Sequence, residues 1–249
     1  MDILQGKQVL VTGGSRGFGR GIVEAMLGAG ARVHTVARGA EALATLRAEL
    51  GDGVAVTAAD AADPVVAGQL LETVRPDVVV LNAGASPLAR PLHQHTWESF
   101  SRNWEVDVKV AFHWLREALL LPLAPGSAVV VVSSGAALRG SPLSGGYAGA
   151  KATLRFMAQY AAEESRRLDL GIQITALLPQ LSPATDLGQL AVAAYARRAG
   201  MTEEEYRAQL GAPLTPQLAG AAVMRVLTDP TLAAHGAFML AAAGLKAVD

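Results

Sequence analysis

Thr12-Gly13-Gly14-Ser15-Arg16-Gly17-Phe18-Gly19 is the stretch on which the reading of this chain turns. It follows a short apolar run, Gln8–Thr12, and leads into a helical segment, Phe18–Leu27. Each of three glycines has its own physical task. Gly13 permits a tight exit from a strand, Gly17 lets the backbone approach a diphosphate, and Gly19 lets helix and sheet pack closely. The free N–H groups and positive dipole of the new helix then favour an anion. Glycines punctuate many loops, so the turn alone is a weak signal. Between a first strand and a first helix it points to a nucleotide.

Working outward, the same alternation runs along the chain. Strands are expected at Gln8–Thr12, Arg32–Ala37, Val54–Ala58, Asp77–Asn82, Ala128–Ser133, Gln173–Leu178 and Ala237–Leu240. Helices are expected at Phe18–Leu27, Glu41–Leu50, Val65–Thr73, Trp97–Leu121, Tyr147–Leu168 and Gln217–Leu227. Several strand runs are apolar at consecutive positions, as in parallel sheets covered on both faces. The pattern predicts an α/β fold: a doubly wound, parallel sheet of about seven strands with helices on both faces. No linker, low-complexity tract or repeat divides the 249 residues, so one domain spanning 1–249 is expected.

One interruption breaks the rhythm. Residues Pro179 to Leu214 carry helical pattern but no strand. Within them Thr202-Glu203-Glu204-Glu205 reads as a capping box, and Thr215-Pro216 just beyond reads as another helix start. A helical insertion at the carboxyl end of a strand is well placed to be a substrate lid. A surface excursion without function is the alternative.

Composition narrows the classes. The chain is 51% hydrophobic and 17% charged, which permits a substantial core and excludes a disordered composition. A formal net charge of −1 supplies no general attraction to nucleic acid or an anionic membrane. With no cysteine, disulfides, thiolate metal sites and cysteine nucleophiles are excluded. The longest apolar runs are strand-sized, far below the roughly 18 residues of a membrane span. Met1–Lys7 lacks a basic region followed by an apolar stretch, so a cytoplasmic protein is expected.

Two arginines bear on the nucleotide. Arg16 lies inside the glycine turn, and Arg38 follows the second strand, near where an adenine ribose sits in a doubly wound fold. An acid there would bond the 2′-hydroxyl of NAD. Two guanidinium groups instead suit a 2′-phosphate, so NADP(H) is expected over NAD(H). Two solvated surface arginines are the bland reading.

Several motifs in order resemble those of the short-chain dehydrogenase/reductase family, single-domain type. They are the glycine turn Thr12-Gly13-x-x-x-Gly17-x-Gly19, Asp60 after the third strand, Asn82-Ala83-Gly84 after the fourth, Ser134 after the fifth, and Tyr147-x-x-x-Lys151. The likeness covers nearly the whole chain. It implies a Rossmann-type fold and a nicotinamide cofactor, with Asp60 contacting adenine and Asn82-Ala83-Gly84 lying beside the adenosine ribose. Ser15 and Phe18 join Gly13, Arg16, Gly17 and Gly19 as candidate cofactor contacts, and Pro179 and Leu181 are candidates at its nicotinamide end.

Tyr147 and Lys151 are four apart in a helical segment, so their side chains share a face. Ser134 ends an apolar strand, and the sheet's carboxyl edge gathers all three. The Lys151 ammonium favours a phenolate, so Tyr147 can exchange a proton with an alcohol or carbonyl as hydride moves. Ser134 would hold the substrate oxygen as charge develops on it. The resemblance adds a bond from Lys151 to the nicotinamide ribose. The implied activity is interconversion of a ketone or aldehyde and an alcohol. A dinucleotide-binding regulatory or scaffold protein without catalysis is the competing class.

The sequence departs from the family at two places. The family usually has an asparagine where this chain has Asp107, a position whose backbone carbonyl holds a water linked to the lysine. Asp107 is counted with the catalytic candidates. Its carboxyl would either relay protons or, as a buried negative charge near Lys151, oppose phenolate formation. Pro179-Gln180-Leu181-Ser182-Pro183-Ala184-Thr185 lacks the usual glycine after its proline and leaves open which hydroxyl replaces a following threonine. Two weaker signals remain. His93-x-His95 lacks further ligands at metal spacing and reads as a loop or substrate-rim pair. Trp97, Phe100, Trp104, Asp107, Ala111 and Leu115 recur at near-helical spacing and read as core. The family often pairs subunits along this helix, so a homodimer or homotetramer is expected. The substrate pocket is expected from Ala85–His95, Ala136–Gly146 and Leu181–Leu214, suiting an uncharged, partly apolar molecule.

Overall fold

The computed structural model describes residues 4–248; the first three residues of the Met1–Lys7 segment lie outside this range. In chain order the elements are β1 (Gln8–Thr12), α1 (Gly17–Gly28), β2 (Arg32–Ala37), α2 (Ala40–Leu50), β3 (Val54–Ala58), α3 (Pro64–Val74) and β4 (Val78–Leu81). There follow α4 (Trp97–Asn103), α5 (Lys109–Leu120), β5 (Ala128–Val132), α6 (Ala136–Arg139), α7 (Gly145–Arg167) and β6 (Gln173–Pro179). The chain closes with α8 (Asp186–Ala199), α9 (Glu203–Leu210), α10 (Pro216–Thr228), β7 (Ala237–Ala241) and β8 (Gly244–Ala247).

The strands form one sheet in the order β3-β2-β1-β4-β5-β6-β7-β8. Pairing is parallel through β7, and β8 turns back antiparallel against it. The sheet thus has eight strands among the described residues, one more than the seven segments expected, in the doubly wound architecture expected. The additional one is a hairpin return: Gly244, at φ +115°, reverses the chain within an alanine-rich stretch that carries no strand pattern.

Consecutive apolar residues in the strands serve two cores. Leu10, Val79, Leu81, Val129 and Val131 face a cluster with Leu70, Trp114, Leu115, Leu154 and Ala158 from α3, α5 and α7. Their neighbours Val9, Val11, Val78, Val80, Val130 and Val132 face a cluster with Ile22, Met26, Leu46, Ala219 and Val223 from α1, α2 and α10. The two-residue alternation of strand side chains thus buries both faces of the sheet beneath helices. Glycine makes the α1–α10 contact possible. A Cβ on Gly220 would meet the Gly21 carbonyl oxygen at 2.3 Å.

The expected single helix Trp97–Leu121 is two helices joined by a π-helical turn at Trp104–Val108. Trp104, Asp107 and Ala111 keep near-helical spacing across this turn, so the sequence pattern does not reveal it. Residues 179–214 carry α8 and α9. Thr202 Oγ1 accepts from the Glu205 amide at 3.2 Å while Glu205 Oε2 accepts from the Thr202 amide at 2.8 Å. Among the described residues, no helix is long and apolar enough to cross a membrane.

Candidate active site

The sheet order changes direction at β1, with β2 on one side and β4 on the other. That switch point opens a crevice at the carboxyl edge, where ligands bind in open α/β sheets. Thr12, the last residue of β1, fixes its walls. Its Oγ1 accepts from the amides of Asn82 and Ala83, both at 3.0 Å. Asn82 Nδ2 donates back to the carbonyls of Thr12 at 3.2 Å and Gly13 at 3.0 Å. The glycine turn and Asn82-Ala83-Gly84 are therefore one hydrogen-bonded unit.

Gly13 and Gly17 have φ of +71° and +56°, the left-handed region that glycine enters without strain. A Cβ on Gly19 would lie 2.1 Å from the Gly13 carbonyl oxygen, whereas one on Gly17 would meet nothing nearer than Thr185 Cγ2 at 3.8 Å. One glycine closes the turn against itself and the other leaves its outer side open. Arg16 occupies the N-cap of α1 and caps no backbone N–H with its side chain, so the first-turn donors face the crevice without an intramolecular cap. Arg16 itself is exposed and pairs with Asp186, at the start of α8, over 3.4 Å. Arg38 is exposed after β2. Asp60 follows β3 and accepts from the Ala62 amide at 3.0 Å.

The proton-handling candidates meet across β5 and α7. Tyr147 and Lys151 occupy successive turns of α7, with Lys151 Nζ 5.7 Å from the centre of the Tyr147 ring. Lys151 is buried, and its Nζ donates to the Val132 carbonyl at 3.1 Å. Ser133 Oγ donates to the Lys151 carbonyl at 2.7 Å, stitching the end of β5 to the helix. Ser134 follows, half-buried, with its Oγ accepting from the Ala136 amide at 3.2 Å. Close contact of α4 and α7 requires Gly146, since a Cβ there would lie 1.9 Å from the Phe100 carbonyl oxygen.

Asp107 joins this group from the π-helical turn. Its Oδ1 accepts from the Ala85 amide at 2.7 Å and from Asn103 Nδ2 at 3.4 Å. Its Oδ2 lies 3.2 Å from Lys151 Nζ, an ion pair outside hydrogen-bond geometry, and has no hydrogen-bond partner among the described residues. Both side chains are shut off from water, at 6% and 0% exposure. Burial pushes the Lys151 ammonium toward deprotonation. The opposing charges of Asp107 and Tyr147 outweigh it, so the ammonium is held above its ordinary value.

The nicotinamide-end candidates are arranged by β6. Pro179 is buried at the strand's end, and its carbonyl accepts from the Gly135 amide at 2.8 Å. Leu181 is half-buried beyond it. Of the nearby hydroxyls, Ser182 is committed to the Leu214 carbonyl, while Thr185 caps α8 and faces Gly17. A small cavity lies between α8 and the loops after β4 and before α7, lined by Ser86, Pro87, Leu143, Ser144, Leu190 and Tyr195 among others. These belong to the three segments expected to form the pocket. Tyr195 is hydrogen-bonded to Ser141, and Ser141 to Ser144 at 2.5 Å. Tyr195 also stacks on Tyr206 of α9, with ring centroids 6.2 Å apart. His95 is a loop pin, with Nδ1 at 2.9 Å from Ser99 Oγ and Nε2 at 3.1 Å from the Arg90 carbonyl.

Four of these residues were not singled out in the sequence. Asn103, Ser133, Ser141 and Tyr195 find their partners through tertiary contacts that no local spacing encodes. Ser133 alone had a hint, as a second hydroxyl beside Ser134.

Comparison with known proteins identifies relatives of the chain and of its fold. A family model described as short chain dehydrogenase matches residues 7–194. A short-chain type dehydrogenase/reductase of Picea abies is 33% identical over 202 residues, covering 74% of this chain and 73% of its own. The L-xylulose reductase of Homo sapiens is 31% identical over 192 residues, covering 75% of each chain. Among solved structures, a 3-ketoacyl-(acyl-carrier-protein) reductase from Brucella melitensis, complexed with NADH, superposes with a TM-score of 0.77. It shares 22% identity, with 94% of this chain and 96% of that one covered.

Proposed function

The chain belongs to the short-chain dehydrogenase/reductase family of oxidoreductases, and on that premise we propose that it interconverts a ketone or aldehyde and an alcohol using NADP(H). The observation that carries the proposal is the buried Lys151 ammonium set 5.7 Å from the Tyr147 ring, at the sheet edge that also bears the glycine turn.

A dinucleotide fits the crevice. Gly13, Ser15, Arg16, Gly17, Phe18 and Gly19 would receive its diphosphate on uncapped helix donors. Asp60 would meet the adenine, with Asn82, Ala83 and Gly84 beside the adenosine ribose and Pro179 and Leu181 at the nicotinamide. Arg38, exposed and without an ion pair among the described residues, supports a 2′-phosphate. Arg16 adds to it only by leaving Asp186, an exchange that an exposed pair permits at little cost. When bound, the cofactor supplies or accepts the hydride.

The chain's own residues handle position and proton. Lys151 stays cationic and orients toward Tyr147. Tyr147 gives its proton to a carbonyl oxygen during reduction and takes one from the alcohol during oxidation. Ser134 holds the same oxygen. The pocket lining is apolar with three hydroxyls and no charged side chain, which suits an uncharged, partly apolar substrate. Segment 179–214 acts as its lid, within a single domain. The exposed Trp104, Phe112, Phe156 and Tyr160 on adjoining helices support pairing into a homodimer or homotetramer, and a cytoplasmic location accords with the cysteine-free sequence.

NADPH consumption with a panel of neutral ketones and aldehydes tests the proposal. Turnover with at least one, and a switch toward NADH in Arg38→Asp, is expected. Dinucleotide binding without turnover across the panel would favour the non-catalytic reading.

A further inference from the structure

Asp107 is a fully buried acid at the reacting centre, and its two oxygens do different things. Oδ1 ties down the Ala85 amide, the residue after the segment beside the cofactor crevice. Oδ2 faces Lys151 Nζ at 3.2 Å. It also presses on Gly84, where even a methyl group would come within 2.8 Å. The carboxylate is therefore held in place from three sides, with Lys151 as its only ion-pair partner among the described residues.

The charges around the centre can be enumerated by element. From α7 come Tyr147 and Lys151; from α4 and the π-helical turn come the neutral Asn103 and Asp107. The end of β5 offers the Val132 carbonyl and the hydroxyls of Ser133 and Ser134. Past β4, Asn82 to Ala85 offer backbone and one amide side chain. Glu105 and Lys109 pair with each other at 2.6 Å on the exposed side. The lysine's positive charge is thus shared with a carboxylate, and the pair carries no net charge.

We propose that Asp107 is a positioning residue that neutralises Lys151 and so moves the working pH of both directions upward, extending carbonyl reduction to higher pH and confining alcohol oxidation to it. The proposal rests on the reading of Tyr147 as the proton donor and acceptor. An unshared ammonium beside the phenol would stabilise a phenolate; a carboxylate 3.2 Å from that ammonium cancels most of its field and itself repels a second negative charge. In reduction a hydride, which the nicotinamide cofactor would supply, would add to the carbonyl carbon as the C=O π pair moves onto oxygen. The Tyr147 O–H bond breaks to protonate the oxygen, and the phenolate regains a proton from solvent. Oxidation runs these steps backward and must begin from phenolate.

Asp107→Asn keeps an oxygen for the Ala85 amide and removes the charge. The test is the pH profile of kcat/KM in both directions for wild type, Asp107→Asn and Asp107→Ser, the last serving if the amide variant does not fold. The expected result is a downward move of the limiting pH in both directions by about one to two units. Oxidation at neutral pH then rises about tenfold per unit. A limit that stays within about 0.3 unit of wild type, or moves upward, overturns the inference. Tyr147→Phe, measured alone and with Asp107→Asn, separates this failure from failure of the underlying reading. Lost turnover in both with an unmoved Asp107→Asn profile rejects the Asp107 role alone, whereas retained turnover rejects Tyr147 itself.

Discussion

Lys151→Met removes the ammonium but keeps the length of its stem, and it strands the Asp107 carboxylate at a position with 0% exposure to solvent. At 3.2 Å and an effective dielectric of about 20, the lost attraction is about 5 kcal/mol before desolvation is counted. Removing the lysine also abolishes its own desolvation cost, so the net change is smaller. Breaking a buried pair by deleting one partner typically costs about 3–5 kcal/mol. For a chain of this size that corresponds to a fall in Tm on the order of 10 °C. The assay is urea unfolding followed by circular dichroism, with Lys151→Met compared with Lys151→Met/Asp107→Asn. The second substitution replaces the stranded charge by an amide that still serves Ala85, and it is expected to return at least half of the loss. A cost below about 1 kcal/mol, or one that Asp107→Asn leaves untouched, would refute the buried pair as an energetic unit.

Four further outcomes follow from named residues. Gly19→Ala places a Cβ 2.1 Å from the Gly13 carbonyl, so dinucleotide affinity should fall at least about tenfold by calorimetry. Gly68→Ala, in α3 with open space around it, should instead stabilise by about 0.5–1 kcal/mol in the same unfolding assay. Tyr195→Phe removes the hydroxyl that holds α8 to Ser141 at the pocket, and kcat/KM should drop about fivefold, chiefly through KM; no change would separate this contact from substrate binding. Because the folded state holds the Lys151 ammonium above its ordinary 10.5, the pair's contribution is complete below that pH. It is lost as the pH rises through the higher folded value, so an unfolding titration that shows no alkaline loss from this residue would contradict the raised direction.

The parts legible in the sequence are those with local causes. β-Branched runs such as Val129–Val132 mark the strands, and the glycine turn marks the first crossover. The capping box at Thr202 and the helix start at Thr215-Pro216 lie where residue chemistry placed them. The hairpin to β8 was not legible, because alanines around Gly244 carry neither strand nor turn signal. Nor was the π-helical turn that carries Asp107, since the aromatic stripe from Trp97 to Leu115 keeps near-helical spacing across it. At the site, Tyr147 and Lys151 could be read because a helix fixes an i,i+4 pair. The partners Asp107–Lys151, Ser133–Lys151 and Ser141–Tyr195 are set by folding, across 44, 18 and 54 positions, where no sequence period reaches.

The central claim is that Tyr147 moves the proton, and steady-state turnover of Tyr147→Phe tests it most directly. With wild type and variant compared on one accepted carbonyl substrate and NADPH, kcat is expected to fall by at least about 10²-fold. Dinucleotide affinity and unfolding midpoint should stay near wild type. A variant that retained turnover within tenfold of wild type would contradict the account.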